Sequence, residues 1–222
     1  MFPVIALLFI GSIFIHTGCN KNDDGLVTDI DGNIYHTIAI GNQVWMVENL
    51  SVTRYRNGDS ISAVMDNWEW SDMSVGAWCD MQNEASNAGK YGHLYNWYAV
   101  QDERGLCPQG WHIPGDAEWN ILIDFLGGEE EAGGKLKSTD TLLWKPPNTG
   151  ASDLVGFSGL PGGARWQGGL FLYFGYYGLW WTATEENDEF AYYHNLVFDN
   201  PGCFRNHYTK SNGCSVRCIR DY

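Results

Sequence analysis

Charge is scarce in this chain. Of its 222 residues only 18% are charged, and cations are the scarcer kind, with Lys+Arg 13 against Asp+Glu 27 and a net charge of −14. A general nucleic-acid binder needs a basic face for phosphate contacts, so that class is excluded. Low charge combined with 15% aromatic residues also excludes an intrinsically disordered chain. Ala, Glu, Lys and Leu are too few for a coiled coil or long helical bundle. No C-x-x-C pair occurs, and Cys214 and Cys218 have no His pair at ligand spacing, so no zinc site is read. G-x-S-x-G is absent as well. From Gly25 onward no Pro/Ser-rich linker, charge block, internal repeat or low-complexity run interrupts the chain, which implies a single domain. What the sequence does have is 27 Gly, 11 Trp, 12 Tyr and 10 Phe. Many tight turns and many large rings favour a β-rich structure.

The first 18 residues are almost entirely apolar up to Ile15, carry no Lys or Arg, and end in Thr17-Gly18, with Cys19 next. A short apolar core followed by small residues is the pattern of a secretory signal. Gly18-Cys19 behind it resembles the lipobox of bacterial lipoproteins, in which the Cys is acylated and becomes the mature N-terminus. The alternative is an uncleaved anchor, since 18 residues approach spanning length. Either arrangement holds the rest outside the cytoplasm. The expected organisation is a signal peptide over 1–18, a tether over 19–26 and a domain over 27–222. Acyl chains on Cys19 would fix the protein to the outer membrane or cell surface, because several chains anchor stably where one is marginal. Asp23-Asp24 resembles the acidic signal that sends some lipoproteins of Bacteroidetes-type bacteria to the surface.

Along the domain, Asp31-Gly32 sits between β-type stretches and signals a hairpin, with strands continuing over Ile34–Ile40 and Val44–Val47. Asp29 to Asn33 could suggest a calcium loop, but Ile40 stands where an EF-hand needs Glu, so the string is read as a turn. One helix is clear. Trp119, Leu122, Ile123 and Leu126 fall at i, i+3, i+4 and i+7, with Asp116 able to cap them and Gly127-Gly128 to stop them, which predicts a helix over Asp116–Leu126. A second short helix is expected over Glu129–Lys137, weakened by Gly133-Gly134. Phe157–Leu160, Leu179–Thr184, Tyr192–Phe198 and Ser215–Arg220 read as strands. Two short helices with antiparallel strands and long Gly/Trp-rich loops make the fold class α+β.

Seven ordered blocks carry a family resemblance. Val44-Trp-Met-Val-Glu-Asn-Leu50, Tyr91-Gly-His-Leu-Tyr-Asn-Trp-Tyr-Ala-Val100 and Leu106-Cys-Pro-Gln-Gly-Trp-His-Ile-Pro114 with Glu118-Trp119 resemble blocks of the Fibrobacter succinogenes major paralogous domain. Gly156-Phe157, Leu160-Pro-Gly-Gly-Ala-Arg165, Trp180-Trp-Thr-Ala-Thr184 and Ser215-Val-Arg-Cys-Ile-Arg-Asp221 complete the set. The resemblance implies a C-type-lectin-like fold, shared with formylglycine-generating enzymes, in an exported lipoprotein. In such a fold Trp97, Trp111, Trp119, Trp144, Trp180 and Trp181 are expected as core or loop anchors. It also frames the cysteines. With Cys19 acylated, five remain in an oxidising compartment and at least one is unpaired. Cys107 and Cys218 both lie inside family blocks, so a bridge between them would tie helix layer to sheet. Cys203 and Cys214 stand where the blocks do not demand cysteine, which suggests a second bridge, leaving Cys79 as the free thiol.

Candidate chemistry is thin. Calcium-dependent sugar binding would need a Glu-Pro-Asn or Gln-Pro-Asp loop; Lys145-Pro-Pro-Asn148 has Lys at the ligand position. The acidic run Glu185–Glu189 reads as a solvated hairpin tip rather than a cation site. Copper-dependent thiol oxidation would need paired thiolates, and soft thiolates suit Cu(I). Cys214 and Cys218 share one strand face, yet lie about 13 Å apart in a straight strand, too far to hold one metal or bond each other. His16, His36, His93, His112, His194 and His207 are scattered. No catalytic residue and no cofactor are implied. The remaining suggestive feature is aromatic: Trp68, Trp70, Trp166, Tyr173 and Tyr176 fall between the family blocks. They either cover the core or present rings to a glycan or a surface protein. The expected function is that of a surface-tethered binding module in adhesion or nutrient capture, with a copper oxidoreductase or a structural envelope protein as the alternatives.

Overall fold

Asp29 organises the first turn. Its carboxylate accepts the backbone N–H groups of Asp31 and Asn33, each at 2.9 Å, and the Tyr35 hydroxyl at 2.6 Å. This Asx-type turn, with Gly32 at φ 89°, reverses the chain and forms the expected hairpin. The computed structural model describes residues 25–222. The expected signal peptide, Cys19 and the tether through Asp24 lie outside the described residues.

The chain runs β1 (Leu26–Thr28), β2 (Ile34–Ile40), β3 (Gln43–Met46), β4 (Ser62–Ala63), α1 (Asn67–Ser71), β5 (Ala77–Cys79), α2 (Ala85–Tyr91), β6 (Leu94–Asn96), α3 (Trp97–Val100) and β7 (Trp111–His112). It continues through α4 (Asp116–Phe125), α5 (Glu129–Leu136), β8 (Ala164–Arg165), β9 (Phe171–Leu172), β10 (Tyr177–Glu185), β11 (Phe190–Val197), β12 (Asn200–Thr209), β13 (Gly213–Cys214) and β14 (Ile219–Arg220). This is the mixed helix-and-strand architecture expected. Among the described residues three sheets form, ordered β1-β2-β3-β14-β7, β4-β5-β6-β13-β8-β9 and β10-β11-β12. The last strand lies between β3 and β7, so the two ends of the domain share a sheet.

Helix α4 buries Trp119, Leu122 and Ile123 as its periodicity predicts, but its cap differs. Gly115 is the N-cap, and its N–H donates to the Glu118 carboxylate at 2.8 Å. Asp116 is thereby free to face β12, where it pairs with Arg205. Helix α5 keeps Gly133-Gly134 because it lies flush on the chain: a Cβ at Gly133 would stand 1.8 Å from the Gly202 carbonyl oxygen.

Two expected strands are altered. Phe157–Leu160 is not a strand: Ser158 is left-handed at φ 52° and its N–H donates to Asp153, making a turn that inserts Phe157 among Trp45, Trp119 and Trp180. Ser215–Arg220 is broken, because the chain crosses there from one sheet to another, donors at Leu50 and Met46 reaching the Val216 and Cys218 carbonyls. The six Trp expected as anchors are all buried.

One disulfide is present among the described residues. Cys107 and Cys218 are bonded with Cα atoms 6.0 Å apart, as expected, and Cys79 is a buried free thiol. The Cys203–Cys214 bridge is not formed, and both thiols are free and buried. Strand β13 pairs with β6 and β8 rather than with β12. Cys203 packs with Leu196 and Trp180, Cys214 with Leu179, Trp181 and Tyr193. Neighbouring strand residues point to opposite faces, so the β10–β12 sheet stands between the two sulfurs.

Candidate functional site: an aromatic and amide sheet face

The β10-β11-β12 sheet has one face against α4 and α5 and another that is only partly covered. On the covered face His194 stacks on Trp119 at 4.9 Å. On the other, alternation brings Tyr177 from β10, Tyr193 and Asn195 from β11, and Asn206 and Tyr208 from β12 to one side. Tyr193 and Tyr208 lie ring to ring at 4.5 Å, and Asn206 Nδ2 donates to Asn195 Oδ1 at 2.9 Å. Tyr173 joins them from the turn that feeds β10. It is left-handed at φ 64°, its carbonyl accepts the N–H groups of Tyr176 and Tyr177, and its ring lies 4.8 Å from that of Tyr177.

The rim is set by the β8–β9 turn. Thr209 Oγ1 donates to Gln167 Oε1 at 2.5 Å, and the Gln167 N–H donates to Asn212 Oδ1 at 2.5 Å. These bonds hold the half-exposed Trp166 beside the end of β12. Arg165 clamps the same turn to the start of α1, donating to the Gly169 carbonyl and to the carbonyls of Val64, Met65 and Asp66.

Electrostatically the face is neutral. Burial first, then the neighbouring rings, holds the Tyr193 and Tyr208 phenols well above the ordinary tyrosine range, so both stay protonated. After burial, the largest influences on them are neighbouring phenols and the Cys214 thiol. Cys214 is itself pushed well up by burial, which removes thiolate reactivity. Cys218 is spent in the disulfide, so the Cys214/Cys218 pair weighed for copper does not exist as two thiolates. Among the described residues no group of three or more His, Cys, Asp or Glu could hold a metal ion.

The five residues expected at a ligand face are divided by the fold. Trp166 and Tyr173 border the face just described. Trp68, 84% exposed on α1, flanks the same β8–β9 turn, since Asn67 abuts Gly169. Tyr176 is half-exposed but packs edge-on against Phe198 at 5.1 Å. Trp70 is corrected: it is wholly buried, with the Arg165 guanidinium 4.5 Å above its ring. Positions i and i+2 face opposite ways on a helix, so α1 turns Trp68 outward and Trp70 into the core with Val64, Met81 and Leu94. Sequence reasoning missed Tyr177, Tyr193, Asn195, Asn206 and Tyr208. The signal was the period-2 pairing of ring and amide, Tyr193-x-Asn195 and Asn206-x-Tyr208.

A second polar constellation is structural. His112 Nδ1 meets Asp221 at 2.6 Å and Nε2 meets Glu118 at 2.8 Å, tying the C-terminus to α4. Burial alone would lower the His112 pKa, but the hydrogen bonds to Asp221 and Glu118 outweigh it and raise the pKa. A raised folded-state pKa gives stability that is full below the unfolded value of about 6.5 and fades as pH rises through the folded value. The stability advantage of the wild type over His112→Gln should therefore shrink from pH 6 to pH 9 in urea unfolding. A constant or growing difference would refute the assignment.

The geometry thus defines an aromatic-rich, disulfide-tied domain of helices and mainly antiparallel sheets with one neutral, ring-lined face. The chain belongs to the Fibrobacter succinogenes major domain family, whose model matches residues 38–220. No curated protein and no solved structure matches it.

Proposed function

We propose that this chain is a lipoprotein, acylated at Cys19 and displayed on the cell surface, whose C-type-lectin-like domain binds an extracellular glycan or protein in adhesion or nutrient capture. The observation that carries the binding role is the uncharged face of Tyr173, Tyr177, Tyr193 and Tyr208 around the Asn195–Asn206 pair. Rigid, amphipathic rings with adaptable amides are a composition suited to recognition. The lectin-like assignment is supported by the shared sheet of the two chain ends and by the Cys107–Cys218 bridge beside it. The anchor is supported by Gly18-Cys19 behind an apolar core. No helix among the described residues is long and apolar enough to cross a membrane.

The anchor is tested by Cys19→Ala. The variant should leave the membrane fraction and appear in the soluble one, while the wild type on whole cells should be cut by added protease. A variant that still sediments with membranes would make the N-terminal segment a spanning anchor and end the lipid assignment.

A further inference from the structure

We infer that the partly covered face of the β10-β11-β12 sheet takes an uncharged oligosaccharide at its exposed edge, held by exposed Asn206 and the buried Asn195 amide that it touches, with the Tyr173 and Tyr177 rings beside them. This rests on the binding role proposed above and names the class of ligand.

The amide pair uses half of its hydrogen-bonding capacity internally. Asn206 Nδ2 donates to Asn195 Oδ1, and no further side-chain hydrogen bond occupies the Asn195 amide hydrogens or the Asn206 carbonyl oxygen among the described residues. Each amide offers both donor and acceptor sites, so one donor group and one acceptor group are left side by side. Adjacent sugar hydroxyls, each able to give and to accept, satisfy that combination. An apolar partner does not: covering the amides without a hydrogen bond costs about 1–3 kcal/mol for each unsatisfied group.

The rings fix the other half of the chemistry. Tyr173 and Tyr177 meet at 45°, and Tyr193 and Tyr208 at 34°, so the face offers tilted planar surfaces and phenol hydroxyls rather than a smooth aliphatic groove. Such rings are apolar on the face and polar at one end. A pyranose, apolar across its C–H face and polar around its edge, has the complementary distribution. Charge selects within that class. The chain carries −14 overall, and Lys210, two residues beyond Tyr208, is already bonded to Glu185 at 2.5 Å, which disfavours uronic or sialic acids. The Glu185 carboxylate is held by that same lysine, which disfavours a basic peptide.

The test uses the full chain in detergent against immobilised neutral gluco-, manno-, galacto- and xylo-oligosaccharides, with uronate- and sialate-bearing ones alongside, followed by calorimetry on the best hit. Hits should be confined to neutral sugars. Asn206→Ala and Asn206→Asp should each weaken binding at least tenfold while unfolding within a few degrees of the wild type, because Asn206 is exposed. Binding only of acidic glycans would overturn the ligand class. Neutral-sugar binding lost with Trp68→Ala but kept with Asn206→Ala would overturn the face. A protein partner released by Asn206→Ala, with no sugar bound, would keep the binding role and end the glycan inference. No binding of any probe would end both.

Discussion

Replacing Cys107 and Cys218 together by alanine should lower the free energy of unfolding by about 4–5 kcal/mol, the chain-entropy value for a loop near 100 residues. The bridge spans a sequence separation of 111 and joins the segment before β7 to the segment before β14. Both half-cystines are buried in the largest core cluster, beside Trp111, Val216 and Leu106. Without the link, the unfolded chain regains the freedom of half its length, and the last strand must find its place between β3 and β7 unaided. The remaining thiols cannot take over. Burial pushes the Cys79 thiol up to about 12 and raises the Cys203 and Cys214 thiols as well, so none supplies thiolate for exchange near neutral pH. Urea unfolding of the double variant, and of the wild type under reducing conditions, should show the same loss. A change below about 1 kcal/mol in both would mean that the bridge constrains little of the unfolded chain.

What was legible in the sequence follows from range. Helix α4 declares itself through Trp119, Leu122 and Ile123 because its period is local and its cap is within one turn. The Cys107–Cys218 bridge was reached through motif blocks that define neighbouring segments. Cys203 and Cys214 failed because their placement depends on which strand β13 joins, and that is fixed by Tyr95 and Arg165, far away in sequence. Helix α1 was missed because five residues capped by Asp66 show too little periodicity, and with it went the distinction between Trp68 outside and Trp70 inside. The candidate face was half legible. Tyr192–Phe198 was read as a strand, but placing Asn195 diagonally beside Asn206 requires the β11–β12 register, which pairs Asn195 with Phe204 and Asn206 with Tyr193 and shifts at an irregularity between Leu196 and Val197. No local pattern announces that shift.

Asn49→Ala should destabilise the domain by about 3–5 kcal/mol, the range for stripping a partner from a buried charge. Arg217 is almost wholly buried, and burial pushes its pKa down, since removing the guanidinium from water penalises its charge. Among the described residues no carboxylate bonds to it. Instead Nη2 and Nε donate to Asn49 Oδ1 at 2.8 and 3.3 Å, Nη1 donates to the Phe157 carbonyl, and the Phe157 ring lies 4.0 Å away. Asn49 Oδ1 also accepts the Trp180 indole N–H at 2.7 Å, while its Nδ2 donates to the Tyr91 carbonyl at 2.8 Å. One amide from the block at 44–50 therefore holds the arginine of the block at 215–221 and the tryptophan of the block at 180–184. Removing the amide leaves Nε and Nη2 of the buried cation, and an indole N–H, without an acceptor, with only the Phe157 carbonyl still bonded to the guanidinium through Nη1. Arg217→Met removes the cation instead, fills much of the same volume, and leaves Asn49 bonded to Trp180 and Tyr91. Its cost should be smaller, about 1–3 kcal/mol, for the acceptors left unpaired. The double variant should then cost less than the two singles summed, by about 0.5–3 kcal/mol, because Asn49→Ala no longer strands a charge once Arg217 is gone. Denaturant unfolding of the four proteins measures that coupling. Strict additivity, or a larger loss for Arg217→Met than for Asn49→Ala, would show that the arginine is held by its aromatic neighbours rather than by the amide.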